Sequence, residues 1–166
     1  MEGFKIIKLK EEDKKALLEL SKTITDNLSN KMWYITYNQD EIAHMFEDDY
    51  GIYLGAFVKD KLVAVSSIYL DSDYTKLVKE HINVKGKLAE IGHCMVLPEY
   101  RGNNLMFELN KKILEIAKDK KVDYINFTVH PDNIASYSSM GKLGAERKAT
   151  YVRDKIYPRC IYLLKV

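Results

Sequence analysis

Residues 87–117 read KLAEIGHCMVLPEYRGNNLMFELNKKILEIA, and the rest of the chain is organised around this stretch. Residues 87–96 are a mostly apolar run that stops just before Pro98, which is typical of a strand. Residues 98–104 form a polar turn of Pro, Arg, Gly and Asn. From Leu105 the apolar residues recur at 105, 109, 113, 116 and 117, on one face of a helix. The stretch therefore predicts a strand, a tight turn and a helix.

The start of the predicted helix is a candidate anion site. The first amides of a helix have no partner inside the helix, and the helix dipole favours negative charge there. Gly102 lets a ligand approach the backbone closely, and Arg101 can add a charge-assisted hydrogen bond. The turn is therefore expected to hold a charged group of a ligand.

Strands and helices are also predicted on both sides of this stretch. Apolar runs predict strands at residues 4–9, 52–58, 62–70, 122–129, 145–152 and 159–165. Amphipathic periodicity predicts helices at residues 11–25, 40–47 and 134–143, with only a weak helical tendency around Leu77 and Val78. The order is β-α-α-β-β-β-α-β-α-β-β, which indicates an α/β sandwich. No linker or repeat is visible, so residues 1–166 are predicted to form a single domain.

Composition limits the classes of function and the compartment. The net charge is +2 with Lys and Glu scattered along the chain, so no nucleic-acid partner is expected. Cys94 and Cys160 form neither a disulfide framework nor a metal pattern, and no set of His, Cys and carboxylates has metal-ligand spacing. No apolar run reaches the length of a membrane span or a signal peptide. A cytoplasmic protein without a bound metal is expected.

Residues 96–106, VLPEYRGNNLM, resemble the acyl-CoA motif of the GNAT superfamily of N-acyltransferases. The motif runs Arg or Gln, two residues, Gly, any residue, then Gly or Ala, and Arg101 matches its start. Asn104 and Met106 stand at the two Gly positions. Asn accepts a positive φ angle better than most residues, whereas Met106 is expected to crowd the helix. The element order is also that of the GNAT fold.

The resemblance implies a mixed, mostly antiparallel central sheet flanked by helices, and acetyl-CoA as the cosubstrate. It implies the following cofactor-binding residues: Met95, Val96, Arg101, Gly102, Asn103, Asn104, Leu105, Met106 and Asn133. Asn133 begins a second GNAT-like motif, Asn-Ile-Ala-Ser, whose Asn contacts the pantetheine region in the family. Its own context, HPDN before a helix, indicates a helix cap, and one Asn can serve both roles.

Two residues of the central strand compete for the role of general base. Removing a proton from an amine needs a base, and the resemblance implies that Glu90 serves, since some family members carry a similar Glu-Ile pair. The alternative for Glu90 is a strand-edge carboxylate that faces solvent or pairs with a Lys. His93 is the second candidate, and its alternative is a structural histidine. Strict alternation places Glu90, Gly92 and Cys94 on one face and His93 on the other, unless a β-bulge intervenes.

The general acid is in doubt, because the tyrosine used by many family members falls at Met140, which cannot donate a proton. Tyr137, one helical turn earlier, is the candidate substitute, and its alternative is an aromatic residue of the core. An acyltransferase without a protein acid is also consistent with the sequence, because a thiol is a fair leaving group.

The acceptor is expected to be an amine on a small molecule or a peptide, bound by residues 26–50 and 70–86 by resemblance to the family. Trp33, Tyr34 and Tyr37 either line this site or belong to the core. Acidic residues that could favour a cationic acceptor, or be plain loop acids, are Glu47, Asp48, Asp49, Asp71 and Asp73. The leading hypothesis is an N-acetyltransferase that works by direct attack in a ternary complex. The alternative is a non-catalytic acyl-CoA-binding or regulatory domain, and a homodimer is left open.

Overall fold

A computed structural model describes residues 3–47, 50–70 and 72–166. The strands are β1 (Lys5–Lys8), β2 (Ile52–Val58), β3 (Lys61–Tyr69), β4 (Leu88–Val96), β5 (Tyr124–Val129), β6 (Glu146–Arg153) and β7 (Tyr157–Lys165). The α-helices are α1 (Lys14–Asp26), α2 (Gln39–His44), α3 (Asp73–His81), α4 (Leu105–Asp119) and α5 (Ile134–Gly141). Among these helices none combines the length and the apolar character that crossing a bilayer requires.

The seven strands form one sheet in the order β1-β2-β3-β4-β5-β7-β6. Every neighbouring pair is antiparallel except β4 and β5, which are parallel. This mixed, mostly antiparallel sheet flanked by helices is the predicted architecture. β7 lies between β5 and β6, so the C-terminal hairpin reaches the sheet beside the central strands.

The parallel pairing of β4 and β5 is short. It runs from Leu88↔Tyr124 to Glu90↔Asn126, although β4 continues to Val96 and β5 to Val129. The carboxyl-terminal parts of the two strands therefore separate, and the gap between them opens a cleft at the middle of the sheet. The position of this cleft is a property of the topology, because only these two neighbours run parallel.

The two faces of the sheet carry different helices. On the α4 face, the Ser66 hydroxyl of β3 donates to Asn110 Oδ1 of α4 at 2.7 Å. On the opposite face, which we call the Glu90 face, Val78 of α3 packs against Leu88 and Ile161. Alternation along β4 and β7 places Leu88 and Ile161 on the same side as Glu90. The helices thus cover both faces and leave the cleft between β4 and β5 open.

Helix α3 is the one element that the sequence analysis underestimated, since it predicted only a weak helical tendency there. Its start is capped by Ser72, whose hydroxyl accepts from Thr75 N. Val78 is fully buried, and its partners lie 10 and 83 positions further along the chain at Leu88 and Ile161. Such distant packing has no signature inside the helix itself.

Candidate functional site

A β-bulge in β4 decides which side chains reach the cleft. Val65 of β3 pairs with Met95 and Ser67 pairs with Gly92, so two residues of β4 stand opposite one residue of β3. His93 lies inside the bulge with a positive φ of 48°. The bulge interrupts the strict alternation that would have placed Glu90 and His93 on opposite faces.

The contacts of the bulge show how the faces are reassigned. Tyr69 pairs with Glu90, and its hydroxyl lies 2.7 Å from His93 Nδ1, so His93 shares the Glu90 face. Cys94 lies 3.4 Å from the Ser66 hydroxyl and therefore points to the α4 face. The two candidate bases end on the same side of the sheet, beside the cleft.

The cleft widens into a cavity of ≈ 480 Å³. It extends from the start of α4 through the gap between β4 and β5 to the Glu90 face. Predicted site residues that line it are Glu90, His93, Met95, Val96, Arg101, Gly102, Asn104, Leu105, Met106 and Asn133. Two other predicted residues, Asn103 and Tyr137, lie outside its lining. We call its two extremities the α4 end and the Arg159 end, after the elements that form them.

At the α4 end, the first turn of the helix is open to a ligand. Asn104 is the residue before the helix, with a left-handed φ of 57°, and its side chain makes no capping hydrogen bond. The first backbone bond of the helix runs from Glu108 N to Asn104 O at 3.0 Å, so the amides before Glu108 have no partner within the helix. Gly102 has a φ of 78°, and a Cβ added there would meet no atom within 4 Å.

The side chains of Arg101 and Asn103 stabilise this turn by hydrogen bonds to its backbone. Arg101 Nε donates to Val96 O at 3.2 Å, and the terminal nitrogens of its guanidinium have no partner among the described residues. The Asn103 amide donates to Tyr100 O and Arg101 O, so Asn103 shapes the turn from outside the cavity. Met106 lies in the first turn of α4, half-buried, and lines the cavity without blocking it.

Glu90 lies at the junction of the two ends and is buried, with 6% of its surface exposed. Burial raises the pKa of its carboxyl to about 8, although the charge of Arg153 and a hydrogen bond from Thr128 act in the opposite direction. Its Oε2 atom is buried and has no hydrogen-bond partner among the described residues. An unpartnered oxygen on the wall of a cavity is free to accept a proton or a hydrogen bond from a ligand.

His93 is engaged by its neighbours. Its ring stacks on Tyr37 with centroids 4.0 Å apart, and Nδ1 lies 2.7 Å from the Tyr69 hydroxyl. Burial, followed by the charge of Arg153, lowers the pKa of the imidazole to about 3. The ring is therefore neutral at neutral pH and a much weaker base than Glu90.

Asn133 adopts the predicted cap and also lines the cavity. Its Oδ1 accepts from Ser136 N at 3.2 Å at the start of α5. Tyr137, in contrast, stacks on Tyr162 of β7 with centroids 6.4 Å apart, away from the cavity. Met140, at the position of the family's acid tyrosine, is buried and lines the cavity. The packing thus favours the core role that was the alternative for Tyr137.

The segment between α1 and α2 contributes Trp33, Tyr34 and Ile35 to the cavity. Tyr37 is buried behind them in the stack on His93, outside the lining. The Tyr34 hydroxyl lies 3.5 Å from the Ser21 hydroxyl, and burial raises the pKa of Tyr34. Trp33 and Tyr34 therefore line the cavity, which is one of the two roles that the sequence left open for them.

Two of the acidic residues whose role the sequence left open, Glu47 and Asp73, lie among the described residues. Glu47 lies 2.8 Å from His44 Nδ1, and Asp73 pairs with Lys76 at 3.0 Å. Neither residue lines the cavity. The predictions for Asp48, Asp49 and Asp71 fall outside the described residues. Among the described residues no group of three or more His, Cys, Asp or Glu side chains is placed to hold a metal ion.

Two arginines that the sequence analysis did not select line the cavity, Arg153 at the end of β6 and Arg159 in β7. Arg159 is buried, with 3% of its surface exposed. Its Nη2 atom donates to Met32 O at 2.9 Å, which joins the C-terminal hairpin to the segment between α1 and α2. The one signal in the sequence was the position of Arg159, directly before the apolar run CIYLL of a predicted strand.

Residues 16–145 match the family model described as the Acetyltransferase (GNAT) family. A search of curated proteins finds no match to this chain. Solved structures share its fold at low sequence identity, which shows the fold alone. A probable acetyltransferase from Staphylococcus epidermidis is 20% identical with a TM-score of 0.74, covering 98% of this chain and 99% of its own. NAA60 from Arabidopsis thaliana, in complex with acetyl-CoA, is 11% identical with a TM-score of 0.77, covering 99% of both chains.

The ribosomal-protein-S18-alanine N-acetyltransferase from Escherichia coli is similar over the same length. It is 14% identical with a TM-score of 0.71, and the alignment covers 98% of this chain and 94% of that one. These neighbours share the overall fold described above.

Proposed function

The chain belongs to the GNAT family of acetyltransferases and is an acyltransferase, and from that premise we propose that it transfers an acetyl group from acetyl-CoA to a primary amine. The amine attacks the thioester carbonyl directly, while both substrates occupy the cavity. The observation that carries this proposal is the single cavity that joins the open start of α4 to the buried carboxyl of Glu90.

The α4 end fits the diphosphate of acetyl-CoA. Uncapped amides, the space beside Gly102 and the terminal nitrogens of Arg101 together offer donors and positive potential to an anion. Asn104 can replace the usual glycine, because it adopts the left-handed conformation at a smaller cost than most other residues would. Asn133 can offer its Nδ2 to the pantetheine chain, because only its Oδ1 is used by the helix cap.

Glu90 is proposed as the general base. The acceptor amine must lose a proton, and a carboxyl with a pKa near 8 is a stronger base than an ordinary carboxylate. As the C–N bond forms, Glu90 takes a proton from the amine nitrogen. The C–S bond then breaks, and the thiolate of CoA leaves. His93 is less suited to this role, because its imidazole binds a proton only at strongly acidic pH.

Direct attack is favoured over an acetylated enzyme. Cys94 is the cysteine that lines the cavity, and burial raises the pKa of its thiol to about 11. A thiol with that pKa supplies almost no thiolate at neutral pH, so it is a poor nucleophile. No tyrosine stands at the position of the family's acid, but a thiolate is stable enough in water to leave unprotonated.

Acetyl-CoA should raise the melting temperature of the protein, because a ligand that binds only the folded state stabilises it. With a panel of primary amines, turnover should appear as release of free thiol that requires both substrates. Stabilisation by acetyl-CoA without thiol release from any amine would instead identify the alternative, a non-catalytic acyl-CoA-binding domain. Asn104 accommodates the motif turn, whereas Met140, at the position of the family's acid tyrosine, is the feature of the cavity that speaks for that alternative.

A further inference from the structure

The Arg159 end of the cavity carries a buried positive charge without a carboxylate to balance it. Arg159 is 3% exposed, and no Asp or Glu lies within salt-bridge distance of it among the described residues. Its neighbours are the carbonyl oxygens of Pro158 and Met32 and the ring of Tyr157, whose centroid is 5.5 Å from the guanidinium carbon. Buried charges in proteins are normally paired, so this guanidinium calls for an anion.

The guanidinium also has donors to spare. Arginine has five N–H donors, and the two hydrogen bonds of Arg159 go to backbone carbonyls. The remaining N–H groups have no hydrogen-bond partner among the described residues. Arg153 also lines the cavity; burial lowers the pKa of Arg159, and the charge of Arg153 acts in the same direction. Arg153 pairs with Asp154 at 3.3 Å, whereas Arg159 has no acidic partner among the described residues, so Arg159 is the cation at this end that a ligand can pair with.

Register places Arg159 on the acceptor side of the cavity. Asn126 pairs with Glu90 and with Leu163, so Leu163 lies on the Glu90 face. Alternation along β7 then puts Arg159 on that face too. The cradle for acetyl-CoA belongs to α4, which packs on the other face through Ser66 and Asn110. The unpaired guanidinium and the cofactor cradle are thus separated by the sheet, with Glu90 at the passage between them.

We propose that Arg159 recognises an anionic group, of the carboxylate class, on the amine acceptor. This inference rests on the proposed function and names the class of substrate: an amine that also carries a carboxylate, such as an amino acid or the end of a peptide. Planar guanidinium and carboxylate groups form two parallel hydrogen bonds, which fixes the orientation of the acceptor as well as its affinity. The amine would then face Glu90 while the carboxylate lies against Arg159.

The test uses matched pairs of acceptors, each an amino acid or short peptide and its carboxamide, with acetyl-CoA and thiol detection. In each pair that is turned over, kcat/KM should be roughly 10- to 100-fold higher for the carboxylate form, the scale of a charged hydrogen bond. Arg159→Met should abolish this preference while acetyl-CoA still raises the melting temperature. Arg147→Met, on the exposed side of β6 and outside the cavity, is the control and should keep the preference.

Equal kcat/KM for the two forms, or a preference that survives in Arg159→Met, would overturn the inference and leave the proposed function standing. Because the preference is measured in the parent protein, the test does not depend on whether Arg159→Met folds. Arg159→Lys is a second variant. It keeps the positive charge but loses the paired N–H donors of the guanidinium, so its preference for the carboxylate form should be reduced. Absence of thiol release from every pair, while another primary amine is acetylated, would overturn this inference alone; absence of thiol release from every primary amine, with acetyl-CoA still bound, would refute the proposed function as well.

Discussion

At its α4 end the cavity is built from one turn, residues 101–106, whereas its Arg159 end is built from separate parts of the chain. Trp33, Arg153 and Arg159 meet there only because β7 lies between β5 and β6 and because Met32 accepts from Arg159. The α4 end therefore depends on local backbone geometry, and the Arg159 end depends on the whole fold. The proposed acetyl-CoA site thus lies at the end built from local geometry, and the proposed acceptor site lies at the end assembled by the whole fold.

The largest expected effect lies at the junction of the two ends. Glu90→Gln keeps the shape of the side chain and removes its basicity, so turnover should fall by roughly 10²–10⁴ while acetyl-CoA binding is unchanged. The parent's kcat/KM should rise as the pH passes about 8, where Glu90 loses its proton, and the variant should lack this inflection. Steady-state kinetics across pH and a thermal shift with acetyl-CoA measure both.

His93→Gln is the matched control for this change, because His93 shares the Glu90 face and the cavity. If His93→Gln loses turnover and Glu90→Gln retains it, the base has been assigned to the wrong residue.

The burial of Glu90 should also cost stability, and this effect is next in size. Because the folded protein holds the Glu90 proton up to about pH 8 and the unfolded chain only up to about pH 4.5, stability falls as pH rises between these values. In the parent, the free energy of unfolding should fall by roughly 1.4 kcal/mol for each pH unit in this window, and Glu90→Gln should not show this fall. Urea unfolding at about pH 5.5 and about pH 7.5 should therefore show the variant gaining roughly 2–3 kcal/mol on the parent.

Glu115→Gln, an exposed change on α4, is the control for the same measurement and should track the parent at both pH values. A constant difference between Glu90→Gln and the parent across this window would mean that Glu90 is not desolvated as its burial indicates.

A smaller effect is expected from a charge placed at the α4 end. Asn104→Asp retains a residue that tolerates the left-handed conformation, but sets a negative charge beside the proposed diphosphate site. Affinity for acetyl-CoA should fall by roughly 1–3 kcal/mol, the scale of a lost charge-assisted contact. Isothermal titration measures this directly, and the preference for carboxylate acceptors should not change, because that preference belongs to the Arg159 end.

Asn38→Asp makes the same substitution at the cap of α2, outside the cavity, and should leave acetyl-CoA affinity intact. Unchanged affinity in Asn104→Asp would remove the phosphate site from the start of α4.

The smallest effect is expected at Tyr137. Tyr137→Phe keeps the stack on Tyr162 and removes only the hydroxyl, so turnover should stay within a few-fold of the parent. Tyr162→Phe removes the hydroxyl of the other ring in the stack, and its turnover should also stay within a few-fold of the parent. A loss of about a hundredfold in Tyr137→Phe alone, with acetyl-CoA bound, would identify Tyr137 as a general acid and require α5 to turn its side chain into the cavity.

Sequence reasoning succeeded where the relevant physics is local. The strand, turn and helix of residues 87–117 and the cap at Asn133 follow from residue type and spacing, and the structure has them. Asn104 adopts a left-handed conformation, which Asn tolerates better than most residues. Sequence reasoning failed where partners are distant. Helix α3 depends on Leu88 and Ile161, and no pattern in the sequence selected the two arginines, Arg153 and Arg159, that line the cavity.

The sequence by itself determined the family resemblance, most of the element order and the strand, turn and helix of residues 87–117, because these depend on short-range periodicity and backbone preference. Only the tertiary structure decided which side of β4 each candidate base occupies, since a single bulge moves His93 to the Glu90 face. It also decided that Arg159 is buried in the cavity with no carboxylate partner among the residues that the structure describes. The burial and the partners of a side chain depend on neighbours from distant parts of the chain, so a short stretch of sequence does not determine them.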